Sequence, residues 1–153
     1  MILDGFFNWG IPDITNSTAA TVSTNVTDAG SAKLVFVARR AARLKFKTVI
    51  TADAAPTIKV DVVGADNTAL TSNPIVIAST GVIATKDGLD TALASGDTVE
   101  RDFAITNQQV AKCYYGLIVT LGGTNPDTVA ATSHAEVMLD AQTNMTGPRA
   151  AVP

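Results

Sequence analysis

Tyr114-Tyr115-Gly116-Leu117-Ile118-Val119-Thr120-Leu121 decides the fold. It is apolar, rich in β-branched side chains and closed by Gly122-Gly123, so it reads as a strand. Tyr115, Leu117, Val119 and Leu121 fall on one face. Thr124-Asn125-Pro126-Asp127 then supplies turn chemistry. His134 to Asp140 alternates again, with Ala135, Val137 and Leu139 on one side and His134, Glu136, Met138 and Asp140 on the other. The two runs predict a long antiparallel hairpin, Leu117 and Val119 packing near Val137 and Leu139 over a core.

Upstream, the same reading gives more strands. Val99, Arg101, Phe103 and Ile105 share a face of a strand over 98–105. Pro74 opens a short strand over 74–78, where its missing N–H costs no ladder bond. From Ser79 to Asp97 alternation disappears, and Asp90 to Ala94 has room for one or two helical turns. Leu44, Phe46, Thr48 and Ile50 form one face of a strand, and Ile58, Val60 and Val62 one face of its expected partner, with a turn over 52–56. Lys59 and Asp61 would point outward. Leu34 to Val37 is an apolar run suited to a strand covered on both faces, and Val22 and Val26 share a face before the turn at Asp28-Ala29-Gly30-Ser31. About eight short strands separated by turn signals predict an all-β fold, an antiparallel sandwich of jelly-roll type with extended N- and C-terminal arms. The expected division is an arm and link over 1–20, a sandwich over 21–144 and an extended tail over 145–153, which carries Pro148 and Pro153.

Composition agrees. The chain has 153 residues, 46% hydrophobic but only 5% aromatic, enough for one domain burying roughly two thirds of its unfolded surface. Charged residues make up 16%, below the usual quarter, so much of the surface must be small and polar or covered by a partner. A net charge of −3 gives no positive field for nucleic acid or an anionic membrane. No run approaches the ~20 apolar residues of a membrane span, and the N-terminus has no basic region before an apolar one, so the expectation is a soluble chain without a secretory signal.

Chemistry is sparse. His134 is the single histidine and Cys113 the single cysteine, so any catalytic triad or dyad built on histidine would need His134, which sits on the polar side of a strand. Neither zinc nor calcium ligand patterns nor a phosphate-binding glycine fingerprint is present. No catalytic residue, cofactor or metal is expected, and the chain is read as a non-enzyme. Two clusters suggest binding instead. Phe6, Phe7 and Trp9 are three of eight aromatic residues, crowded among Gly5, Gly10 and Pro12. They either close one end of the chain's own core or dock on another chain. Arg39, Arg40, Arg43, Lys45 and Lys47 are five of 11 basic residues in nine positions. They form either a solvated face or a patch for an acidic protein surface.

Three stretches carry a family resemblance: the opening Met1-Ile2-Leu3-Asp4; Ser23-Thr24-Asn25-Val26-Thr27-Asp28-Ala29-Gly30; and Tyr115 to Val119 together with Met138-Leu139-Asp140-Ala141-Gln142-Thr143-Asn144. In these the chain resembles the capsid cement (head decoration) proteins of short-tailed bacteriophages, of the type first placed in a Bordetella phage. The basic cluster and the segment after Asn144 have no counterpart in that pattern. The resemblance implies a β-sandwich made in the host cytoplasm and bound to the outer surface of an assembled virion, bracing neighbouring major capsid proteins. Homo-oligomers, dimer or trimer, would be expected, without nucleic acid or membrane as partner. A carbohydrate-binding jelly-roll module on a virion surface is the alternative, with Tyr114 as a stacking ring.

Overall fold

The computed structural model describes residues 3–30, 34–35, 42–86, 90–105 and 111–139, with side chains described except at 3–7, 34–35, 42, 130 and 138–139. Its strands, in chain order, are β1 (Leu3–Asn8), β2 (Thr21–Val22), β3 (Thr27–Asp28), β4 (Leu34–Val35), β5 (Ala42–Thr51), β6 (Ala54–Ala65) and β7 (Ile75–Ile83). They continue with β8 (Thr85–Lys86), β9 (Thr91–Ala92), β10 (Asp97–Ile105), β11 (Ala111–Lys112), β12 (Tyr114–Thr124), β13 (Asp127–Thr128) and β14 (His134–Leu139). A 3-10 turn, Ala130–Thr132, separates the last two. The fold is all-β, and among the described residues no helix is long and apolar enough to cross a membrane.

Two antiparallel sheets form the body. In the first the order is β1-β14-β5-β10, with β13 beside β5 in the lane that β14 continues. In the second it is β2-β12-β6-β7, with β3 extending the lane of β2 along β12. Each sheet therefore has four lanes. Numbered along the chain they read 1-8-3-6 in one layer and 2-7-4-5 in the other. Short ribbons β4–β11 and β8–β9 lie outside these sheets.

Alternation chooses the inner faces. Leu44, Phe46 and Ile50 of β5, Val99 and Ile105 of β10, and Ala135 and Val137 of β14 meet Ile58, Val60, Val62, Tyr115, Leu117, Val119 and Leu121 of the second sheet in one buried core. Thr48 is also fully buried, its hydroxyl 2.7 Å from that of Ser133 where five residues between β13 and β14 lie opposite only Thr48 and Val49. Tyr115 fixes the start of β12, because its buried hydroxyl accepts the Lys112 N–H at 2.8 Å. Burial pushes the Tyr115 phenol up from its ordinary pKa, partly opposed by that hydrogen bond.

The strand partners differ from the expected hairpins. β12 pairs with β6, while β14 pairs with β5 and β1, so the terminal pair lies in opposite layers. β5 and β6 likewise lie in opposite layers, the chain crossing at Ala52-Asp53. Alternation is blind to this difference. Two strands whose apolar faces meet over one core show the same pattern whether they are neighbours in a sheet or opposed across it.

Other expectations are also corrected. Leu3–Asn8 is a strand paired with β14, with Leu3 opposite Met138, rather than part of an arm outside the sandwich. β7 runs on to Ile83, and Thr91–Ala92 is a strand, not a helical turn. The register of β6 with β7 slips twice, and each inserted residue resets the alternation that sequence reading depends on. The tail over 145–153 lies outside the described residues.

Candidate functional site

Trp9 lies at the centre of the N-terminal segment. It is 0% exposed and belongs to the main core with Ile11 and Ile14. Its indole Nε1 donates to Thr27 Oγ1 at 3.0 Å, and its backbone N–H donates to Ala135 O at 3.1 Å. Gly and Pro around it made the segment read as irregular, yet what holds it is β14, more than a hundred residues away. A docking role for an exposed Trp9 is therefore corrected: the ring closes the chain's own core. Phe6 and Phe7 lie in β1, and their side chains are outside the described residues.

Residues 23–30 strap this segment to β12. The Asn25 N–H donates to Trp9 O at 2.8 Å, and Asn25 Nδ2 to Asn8 O at 3.3 Å. Ser23 bridges to Leu117 twice: its N–H donates to Leu117 O at 2.9 Å, and its Oγ accepts the Leu117 N–H at 3.0 Å. Ser23 Oγ also donates to Asn25 O at 2.7 Å. So close an approach leaves no room for a side chain at Gly116, where a Cβ would lie 2.9 Å from Ser23 Oγ and 3.1 Å from Leu70 Cδ1.

Two members of the basic cluster, Arg43 and Lys45, are neutralised by acids on a neighbouring strand. Arg39 and Arg40 lie outside the described residues. Arg43 pairs with Asp102 at 2.8 Å and Lys45 with Glu100 at 2.8 Å, both across the β5–β10 ladder. On the other side β14 sets His134 opposite Lys47 and Glu136 opposite Lys45. Hydrogen bonding and attraction to Glu100 raise the Lys45 pKa, and the same contacts with Lys45 lower that of Glu100. The outer face of the first sheet is thus a lattice of both signs, and not the positive patch that the sequence of β5 alone suggests. The acids that balance it sit on β10 and β14, which no local reading joins to β5.

The second sheet's outer face is different. Its ionic pair, Lys59–Asp61 at 2.8 Å, is internal to β6, and Asp61 is buried although it points away from the core. A small second cluster of Val63, Ala65 and Leu70 covers part of this face, with Tyr114 packed against it and thereby half-buried. Lys112 is nearly buried and grips Asp66, its Nζ 3.2 and 3.1 Å from the two carboxylate oxygens. Along β7, Ile75, Val76 and Val82 are exposed, Val82 to 69%. Those three were legible as apolar residues but not as a surface, because the bulges hide which side each faces.

His134 is exposed on the outer face of the first sheet, whereas Cys113 is half-buried beside β12 of the second. Among the described residues, no three His, Cys, Asp or Glu side chains gather closely enough to hold a metal ion. Compared with models of known protein families and with curated protein sequences, the chain matches none.

Proposed function

We propose that this chain is a structural protein of a virus particle, a decoration protein that binds the outside of an assembled phage head and braces neighbouring major capsid proteins. One observation carries the reading. Where they are described, the stretches in which the sequence resembles the cement proteins are far apart in the chain but joined by contacts in the fold. Leu3 of the opening pairs with Met138 of the closing stretch. Ser23 to Gly30 straps the segment after β1 to β12 through Asn25, Thr27 and Ser23, with Ala29 N–H donating to Cys113 O at 2.7 Å. Contacts between distant stretches of resemblance are what a shared fold would leave behind, and the lane order 1-8-3-6 over 2-7-4-5 is compatible with the jelly roll that the resemblance implies. A decoration protein acts by mass action: it binds the assembled lattice better than free subunits and so stabilises it. Repetition over a shell lets modest contacts add.

The test is co-sedimentation. Empty expanded heads of a short-tailed phage from the same source as the chain, prepared without it, are mixed with the purified protein and pelleted. The reading expects saturable pelleting at a fixed ratio to major capsid protein and a higher disruption temperature of the shell. Protein that stays in the supernatant at every concentration contradicts it.

A further inference from the structure

Among the described residues, Asp61 Oδ1 is the buried side-chain oxygen that finds no hydrogen-bond partner. The residue is 7% exposed, although alternation with Val60 and Val62 turns it away from the core. Its other oxygen, Oδ2, holds Lys59 Nζ at 2.8 Å. The neighbours account for the shortfall. Ile118 of β12, opposite on one side, has no side-chain donor. Ser79 of β7, opposite on the other, is turned to Gly81, whose N–H its hydroxyl accepts at 3.1 Å. Further along β6, Val63 is apolar and the Lys59 ammonium is engaged with Oδ2. A buried carboxylate oxygen without a donor is costly, so a donor brought by a partner is worth more here than at an exposed acid.

The surroundings say which donor fits. Val76 and Val82, both exposed, lie opposite Val63 and Lys59, and so share the outer face with Asp61. Between them Ser79 is small and exposed, which leaves a low approach from β7 to the carboxylate, bordered by apolar side chains. A fitting group carries positive charge, paired donors at its tip and an apolar stem behind. A guanidinium grips both carboxylate oxygens at once, where the Lys59 ammonium serves only Oδ2, and its aliphatic stem lies against the valines. Lys59 is the movable part. Its side chain is 40% exposed, so it swings into solvent at small cost when a guanidinium takes its place. The outer face of the first sheet offers no such place, since Asp102 and Glu100 are exposed and taken by Arg43 and Lys45.

We propose that Asp61 is the docking site for an arginine side chain of the major capsid protein, seated between Val76 and Val82. The inference rests on the decoration reading and deepens it, naming the face of the chain that meets the shell and the chemistry it meets there.

Co-sedimentation with empty heads tests it through variants whose folding is checked by circular dichroism. Asp61→Asn keeps the shape of the side chain but loses its charge, and should weaken pelleting roughly tenfold or more. Lys59→Met removes the competing ammonium, and should lower the melting temperature yet tighten pelleting. A pair with only a structural role would have both substitutions act in the same direction. Arginine amide should release bound protein at a lower concentration than lysine amide does. Undiminished pelleting of Asp61→Asn, weakened pelleting of Lys59→Met, or equal release by the two amides would each overturn the site. If Asp61→Asn does not fold, Lys59→Met and the competition decide. Wild-type protein that never pellets refutes the decoration reading and the site with it, whereas wild type and variants that pellet alike refute the site alone.

Discussion

Replacing Trp9 by alanine separates a core residue from a docking one. The side chain is fully buried between the layers, so its loss removes a large apolar body and leaves a cavity that the two sheets cannot close. Truncations of this kind cost about 3–5 kcal/mol. For a chain of this length each kcal/mol is worth roughly 2–4 °C, so the melting temperature should fall by roughly 6–20 °C. Trp9→Phe keeps most of the aromatic bulk but loses the Nε1 bond to Thr27, and should cost less, about 1–2 kcal/mol. Deleting Met1 to Pro12 removes β1 and Trp9 together and should leave a chain that unfolds or aggregates. Thermal melts followed by circular dichroism measure all three. As the single tryptophan, Trp9 should also fluoresce blue-shifted in the native protein and shift to the red on unfolding. A Trp9→Ala protein that melts within about two or three degrees of wild type, or a truncated chain that folds normally, would show that the ring is not part of the core.

Other outcomes follow from the same contacts. Gly116→Ala should cost about 1–3 kcal/mol in chemical denaturation, since the added methyl collides with a Ser23 side chain pinned by hydrogen bonds. Asp66→Ala should destabilise by roughly 1–3 kcal/mol, and by more than Lys112→Met, because it leaves a buried ammonium without its carboxylate; equal costs would remove the ion-pair argument. Lys86, with help from the Ala94 N–H, lowers the pKa of Asp97, and Lys45 lowers that of Glu100. Their contribution is therefore complete above the unfolded carboxylate pKa and is lost as pH falls through the folded values. An Asp97→Asn, Glu100→Gln variant should show a shallower loss of melting temperature on acidification, and an unchanged slope would contradict this.

The sequence revealed faces better than neighbours. Leu44, Phe46, Thr48 and Ile50, or Tyr115, Leu117, Val119 and Leu121, are buried as period-two alternation requires. Which strands lie side by side was not legible, because the chain turns between layers at Ala52-Asp53 in a connection as short as a hairpin's. Trp9 was ambiguous for a related reason: its partners, Thr27 and Ala135, are distant in sequence, while its immediate neighbours are Gly10 and Asn8. Asp61 read as an outward residue, and the outward position is right, but it is buried there all the same. The basic cluster on β5 was visible and its neutralisation was not, since Asp102, Glu100 and Glu136 reach it only through strand pairing.

The proposed role on a phage head is tested most directly by a density map of the purified particle from which the chain comes. A small two-layered β density is expected, repeated on the outer surface, seated across contacts between major capsid proteins and fitted by β5, β6, β12 and β14 in their observed layers. A map whose outer surface lacks that density, or that holds it only within the shell or in the tail, would contradict it.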